Sequence, residues 1–212
     1  MANEEKKDFN AMLHLANGMP KVQLVTDEAT VKKYGGTRMY FAPPLAYDTL
    51  MRQVPPGRLT TVGELRALLA RRALADFTDP ITAGIFVSIA AWASFQRQAD
   101  ETPYWRTLKA NGELNPKYPG GVQAQRQKLE AEGHTIVARG RTNIRYFVQG
   151  YENKLCVFAY RQTRGAGFYA KARALKRHRE APAPCAFPSA FARGAQNRAL
   201  RTPSGHSWTT AD

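Results

Sequence analysis

A chain of 212 residues with 43% hydrophobic residues can bury one core of ordinary size, and its formal net charge of +14 favours an anionic partner, nucleic acid first. The charge is lopsided, with ten Lys and Arg against two acids in residues 161–212, which leaves about +6 on the rest. The charged start Met1–Lys7 predicts no secretory leader and the apolar run 81–95 is too short to span a membrane. Cys156 and Cys185 suggest no disulfide framework, and with four scattered histidines no metal spacing, so the expectation is a cytoplasmic, cofactor-free protein.

In chain order, residues 4–16 place Phe9, Met12, Leu13 and Ala16 on one helical face, closed near Asn17-Gly18. Lys21 to Val25 alternates like an edge strand, Thr26 can cap a short helix that Gly35-Gly36 ends, and Thr37 to Ala42 returns as a strand. Tyr47, Leu50, Met51 and Val54 recur at helical spacing until Pro55-Pro56-Gly57 stops them, and Arg58-Leu59-Thr60-Thr61 is an extended link. Thr61-Val62-Gly63-Glu64 fits a capping box opening a helix with the buried stripe Leu65, Leu68, Leu69 and Leu74. Asp79-Pro80 opens the next helix, an acid at the cap and a proline at the first helical position. The two helices form either a helix-turn-helix, whose second member approaches DNA, or an ordinary helical pair.

Thr102-Pro103-Tyr104-Trp105-Arg106 follows. Proline predicts an extended entry, and two adjacent rings on an extended backbone point to opposite sides. Asn111-Gly112 predicts a tight turn, residues 115–121 a loop, and Val122 to Glu132 a helix closed by Gly133. His134 to Ala138 and Ile144 to Val148 alternate as a two-stranded wing with residues 139–143 at its tip.

Over residues 45–150 this series resembles the DNA-binding domain of the alkylguanine–DNA alkyltransferases, the methylated-DNA–protein cysteine methyltransferases. The residues that carry the likeness are Val54-Pro55-Pro56-Gly57-Arg58-Leu59-Thr60-Thr61-Val62-Gly63, the helical pair, Pro103-Tyr104-Trp105-Arg106, Asn111-Gly112, Gly120-Gly121 and Lys128 to Gly133. The resemblance implies a mainly α fold with small β, a winged helix-turn-helix domain that flips an alkylated guanine into a pocket and moves the alkyl group onto cysteine. It sets a short N-terminal α/β extension at 1–44, the DNA-binding domain at 45–158 and a basic tail at 159–212.

Where the family has Pro-Cys-His-Arg, the acceptor cysteine is Tyr104 and the activating histidine is Trp105. Alkyl transfer needs a soft thiolate; a phenol with pKa near 10 stays protonated, and an indole NH cannot accept a proton. The chain is similar to the alkyltransferase-like branch, which lacks the cysteine and reads the lesion without repairing it. The usual member there has tryptophan at the cysteine position and keeps the histidine, so this pattern is divergent. The likeness implies a lesion pocket of Tyr104, Trp105, Tyr118, Gly120, Gly121 and Glu132, with no catalytic residue and no metal. It implies DNA contacts from Arg58, Thr60, Thr61, Val62, Ile81, Thr82 and Arg106.

Several roles stay open. Thr60 and Thr61 serve either as phosphate donors or as cap and turn residues; Val62 stands where the family has a phosphate-pressing tyrosine. Ile81, where the family fills the flipped-base gap with arginine, is either an apolar wedge or core. Glu132 either belongs to the site or orients a helix end. Residues 80–96 carry no charge, so phosphate neutralisation falls to Arg58, Arg106, Lys117 and the wing arginines. The expected partners are double-stranded DNA, alkylated or plain, and excision-repair proteins, with the protein a nucleoid-associated monomer. The alternatives are a family methyltransferase, or a winged-helix module turned to general DNA or protein binding. The tail, rich in Ala, Arg and Pro, predicts disorder, with Lys171, Arg173, Lys176, Arg177 and Arg179 either holding phosphates or belonging to a segment without selected function.

Overall fold

The computed structural model of the chain describes residues 6–97 and 99–158, so the tail lies outside the described residues. Among them are six α-helices and three small sheets. Helix α1 (Phe9–His14) is shorter than the periodicity predicts; Asp8 accepts from the Ala11 N–H and so starts it late. Strand β1 (Lys21–Leu24) pairs antiparallel with β2 (Arg38–Phe41). Between them lies α2 (Glu28–Tyr34), capped by Asp27 rather than Thr26 and closed by Gly35 in the left-handed region.

Helix α3 (Pro44–Met51) ends before the prolines, and the link beyond it becomes β3 (Thr60–Thr61). Helix α4 (Val62–Arg72) begins where expected, the Thr61 hydroxyl accepting from the Glu64 N–H at 3.1 Å. Its buried stripe is Leu65, Leu68 and Leu69; Leu74 does not join it. The helix stops at Arg72, so Leu74 turns out of the helical register, with φ of 53° and 69% exposure. The connection to α5 (Pro80–Arg97) is more than a turn. It contains β4 (Phe77–Thr78), which adds to β2 in parallel, and Arg66 donates twice to the Thr78 carbonyl.

Helix α5 is the central element. Ala83 and Val87 give its first half a buried face, residues 89–94 are buried on every side, and α1, α3 and α4 pack on it. Asp79 caps it, accepting from the Thr82 N–H at 2.7 Å. At its far end a buried polar knot fixes the next segment: the Thr102 hydroxyl donates to Asp48 at 2.6 Å, Arg52 donates to the same carboxylate at 2.8 Å, and the Thr102 N–H donates to Ser94. Burial of Asp48 is tolerable because its charge is paired and hydrogen-bonded.

Residues 104–106 are a 3₁₀ turn rather than the extended stretch that Pro103 predicts. Anchored at Thr102, the chain tightens so that the Arg106 N–H reaches the Pro103 carbonyl at 3.1 Å. Strand β5 (Thr107–Leu108) then pairs in parallel with β3, Thr60 opposite Thr107. Asn111 and Gly112 both have positive φ, the turn that this dipeptide favours, and a Cβ on Gly112 would run into the Tyr151 ring. Helix α6 (Gly121–Ala131) leads into β6 (Ile136–Arg139) and β7 (Arg145–Val148), an antiparallel pair whose strands start two residues and one residue later than the alternation predicts.

Two apolar clusters result. The larger gathers Phe9, Leu13, Tyr47, Leu65, Val87, Trp92, Tyr104 and Tyr118, so residues from both sides of position 44 share it. The smaller holds Leu59, Leu108, Leu114, Leu129 and Val148 beneath the β6–β7 hairpin. Trp105 packs against both. Cys156 is buried, and Cys185 lies outside the described residues.

Candidate functional site

The seam between the clusters is where the predicted pocket residues meet. Tyr104 lies edge-on to Trp105, with centroids 5.4 Å apart, and to Tyr118 at 5.5 Å. Such T-shaped contacts place the positive ring edge on the negative ring face and favour one fixed arrangement. Tyr104 and Tyr118 are buried, and Trp105 alone of the three is half-buried. The rings are not on opposite sides of a strand; the 3₁₀ turn folds them against each other. Burial, with the charge of Glu101 second, raises the Tyr104 phenol to about 12, so it stays protonated at neutral pH. Burial pushes Tyr118 up too, and its hydroxyl donates to the Thr107 carbonyl at 3.1 Å.

A carboxylate clamp holds this cluster. Glu132 accepts from the Trp105 indole at 2.7 Å, from Arg106 Nε at 2.9 Å and Nη2 at 2.8 Å, and from the Gly57 N–H at 3.2 Å. Arg106 Nη1 also donates to the Val54 carbonyl at 2.7 Å. Burial works to raise the Glu132 carboxyl, but donation from Arg106, then Trp105 and Gly57, outweighs it and holds the group below its ordinary value. Glu132 therefore orients the indole and ties α6 to the Pro-Pro-Gly segment at once.

Two side chains that sequence reasoning missed complete the cluster. The Lys128 ammonium stands 4.0 Å from the Trp105 centroid and 5.1 Å from that of Tyr104, and it donates to Glu101 at 2.6 Å. It covers the half-buried indole face with a cation. The spacing Lys128–Glu132 is one helical step of four, so both fall on one face of α6; that was the signal available. Gln125, three residues before Lys128, is fully buried, accepts from the Asn115 N–H at 2.7 Å and donates to the Trp105 carbonyl at 3.0 Å. Gly120 and Gly121 start α6 beside Tyr118, both with positive φ, and a Cβ on Gly120 would strike Ala124.

The residues expected at DNA are more dispersed. Thr61 takes the cap role. Thr60 is fully buried, its hydroxyl unpartnered among the described residues, and Val62 is half-buried against the larger cluster. Thr82 donates its N–H to Asp79, and its hydroxyl is buried. Arg106 is spent in the clamp, while Arg58 is half-buried. Ile81, in contrast, is 73% exposed at the start of α5, so it is not core; Ile85 and Phe95 on the same helix are exposed as well.

No family model and no curated protein matches the chain. Among solved structures it is similar to S. pombe Atl1 in complex with damaged DNA containing O6-carboxymethylguanine, at 18% identity and a TM-score of 0.38, over 53% of this chain and 92% of that one. A likeness this distant does not fix a shared site. The chemistry of the seam stands on its own geometry: rings, a clamped indole, a covering cation and, at position 104, a protonated phenol with no sulfur.

Proposed function

We propose that this protein is a non-catalytic, alkyltransferase-like DNA-binding protein that recognises alkylated guanine by base flipping in DNA repair. In this reading residues 45–158 form a winged helix-turn-helix domain, with α4 and α5 as the helical pair and β6–β7 as the wing. The observation that carries it is the aromatic cluster at 104, 105 and 118, oriented by Glu132 and holding a phenol where transfer would need a thiolate. A flipped base would take the place of Lys128 on the Trp105 face. Flipping costs a few kcal/mol, and stacking returns roughly 1–3 kcal/mol per base, so the balance falls in favour of a base already poorly paired. Ile81, exposed at the head of α5, would fill the gap left in the duplex. Double-stranded DNA is the partner, excision-repair proteins act downstream, and the protein works as a cytoplasmic monomer at the nucleoid.

The test is a competition between a duplex carrying one alkylated guanine and its unmodified twin, repeated across a salt series. About tenfold tighter binding to the modified duplex is expected, with no alkyl group found on the protein afterwards. Equal affinity at every salt concentration would refute lesion reading, and a labelled protein would refute the non-catalytic role.

The exposed Ile81, Ile85 and Phe95 on a helix without charge before Arg97 favour one second reading, a module turned to protein binding. It predicts no measurable duplex affinity at low salt.

A further inference from the structure

Away from the aromatic seam, a cleft of about 430 Å³ opens between the β6–β7 hairpin and the start of α6. Its size falls in the range of small-ligand sites. Leu114, Val122 and Ile144 line it with apolar surface, and Tyr146 adds a half-buried aromatic ring over which the Arg126 guanidinium stands at 5.8 Å. The polar lining is ordered around one carboxylate. Glu113, half-buried, accepts from Lys109 at 2.8 Å and lies 3.9 Å from Arg145, whose side chain is 63% exposed. Two cations against one acid leave the cleft with an unspent positive charge, and the long, exposed Arg145 contact is the one that an incoming anion can take over most cheaply.

We propose that this cleft binds a nucleotide unit, with the base against Tyr146 and the phosphate at Arg145 and Lys109. An aromatic ring beside a positive rim is the combination that holds single nucleotides without a paired strand. Glu113 sharpens the choice. Its carboxylate accepts from the exocyclic amino group of a base such as cytosine, a donor that a fatty acid or an acidic side chain lacks. Asn143, also in the lining, carries an amide with both a donor and an acceptor. A free nucleotide and a nucleotide within a single strand share this chemistry.

Calorimetric titration of the full chain with deoxycytidine monophosphate, and with a short oligodeoxycytidylate, tests the site. Saturable binding of at least one is expected. Binding of the strand alone identifies nucleic acid as its source and binding of the monomer alone a small molecule, and either supports the site. Tyr146→Leu should weaken it about tenfold, whereas Tyr146→Phe, which keeps the ring, should bind as the native protein does. Arg145→Ala should weaken binding and flatten its salt dependence. Binding of neither probe, or equal affinity for the Leu and Phe variants, overturns the proposal. Should Tyr146→Leu not fold, unchanged affinity in Arg145→Ala overturns it alone.

Discussion

Glu132 concentrates more consequence in one side chain than any other at the seam, because it answers an indole, a guanidinium and a backbone N–H together. Glu132→Gln keeps the shape and removes the charge, leaving the Arg106 guanidinium, 11% exposed, without its counter-ion. We expect a loss of about 3 kcal/mol in denaturant unfolding and a change in the near-ultraviolet signal of Trp105. A loss below about 0.5 kcal/mol would show that the clamp orients without stabilising. His134, buried beside it, makes the fold acid-sensitive in the same direction as the depressed Glu132 carboxyl. Burial first, then the Lys154 and Arg106 charges, hold its pKa below the ordinary 6.5, although Glu132 pulls upward. The unfolded chain therefore takes up a proton near 6.5 that the folded chain still refuses. Stability is full above that pH and falls as pH drops towards the folded value; His134→Gln should flatten this segment of a stability-against-pH curve. An unchanged slope in the variant would assign the acid sensitivity elsewhere.

At the scale of elements, α5 has two ends with different duties. Its C-terminal half is bound into the core and, through Ser94 and Thr102, sets the entry to the aromatic turn. Its N-terminal turn is capped by Asp79 and faces outward at Ile81. Because Ile81 is exposed, Ile81→Ser should change stability by less than about 0.5 kcal/mol. If the side chain wedges a base step, the same variant should weaken binding to an alkylated duplex several-fold. Affinity equal to that of the native chain would assign the exposed isoleucine to another partner. The helical pair and the strand before it offer little else to DNA, since Thr61 caps α4, the Thr82 N–H is taken by the α5 cap and Thr60 is fully buried.

Across the molecule, the proposed affinity for nucleic acid would have to come from charge set around an uncharged helix. Arg58, Lys117, Arg139 and Arg141, if all four neutralise phosphates, would give a slope of log K against log salt of about −3.6. The ten cations beyond residue 160 make a steeper slope the expected result for the full chain. A slope flatter than about −1 would remove phosphate neutralisation as the source of binding.

Much of this was legible in the residues. Thr61 and Asp79 announce helix starts through short-range cap chemistry, Asn111-Gly112 announces a turn through its tolerance of positive φ, and the hairpin announces itself by alternation. Each depends on neighbours within a few positions, so sequence by itself determined them, as it determined that position 104 offers a phenol and no thiol. The tertiary structure decided the rest. Whether Ile81 is core or surface, whether Leu74 joins a stripe, and whether Pro103 leads into a strand or a tight turn depend on what lies across the chain. Lys128 over Trp105, and Glu132 between Gly57 and Arg106, join residues up to 75 positions apart. Periodicity and capping carry no information about such partners, because burial and pairing at that range are settled only when the two clusters close on each other.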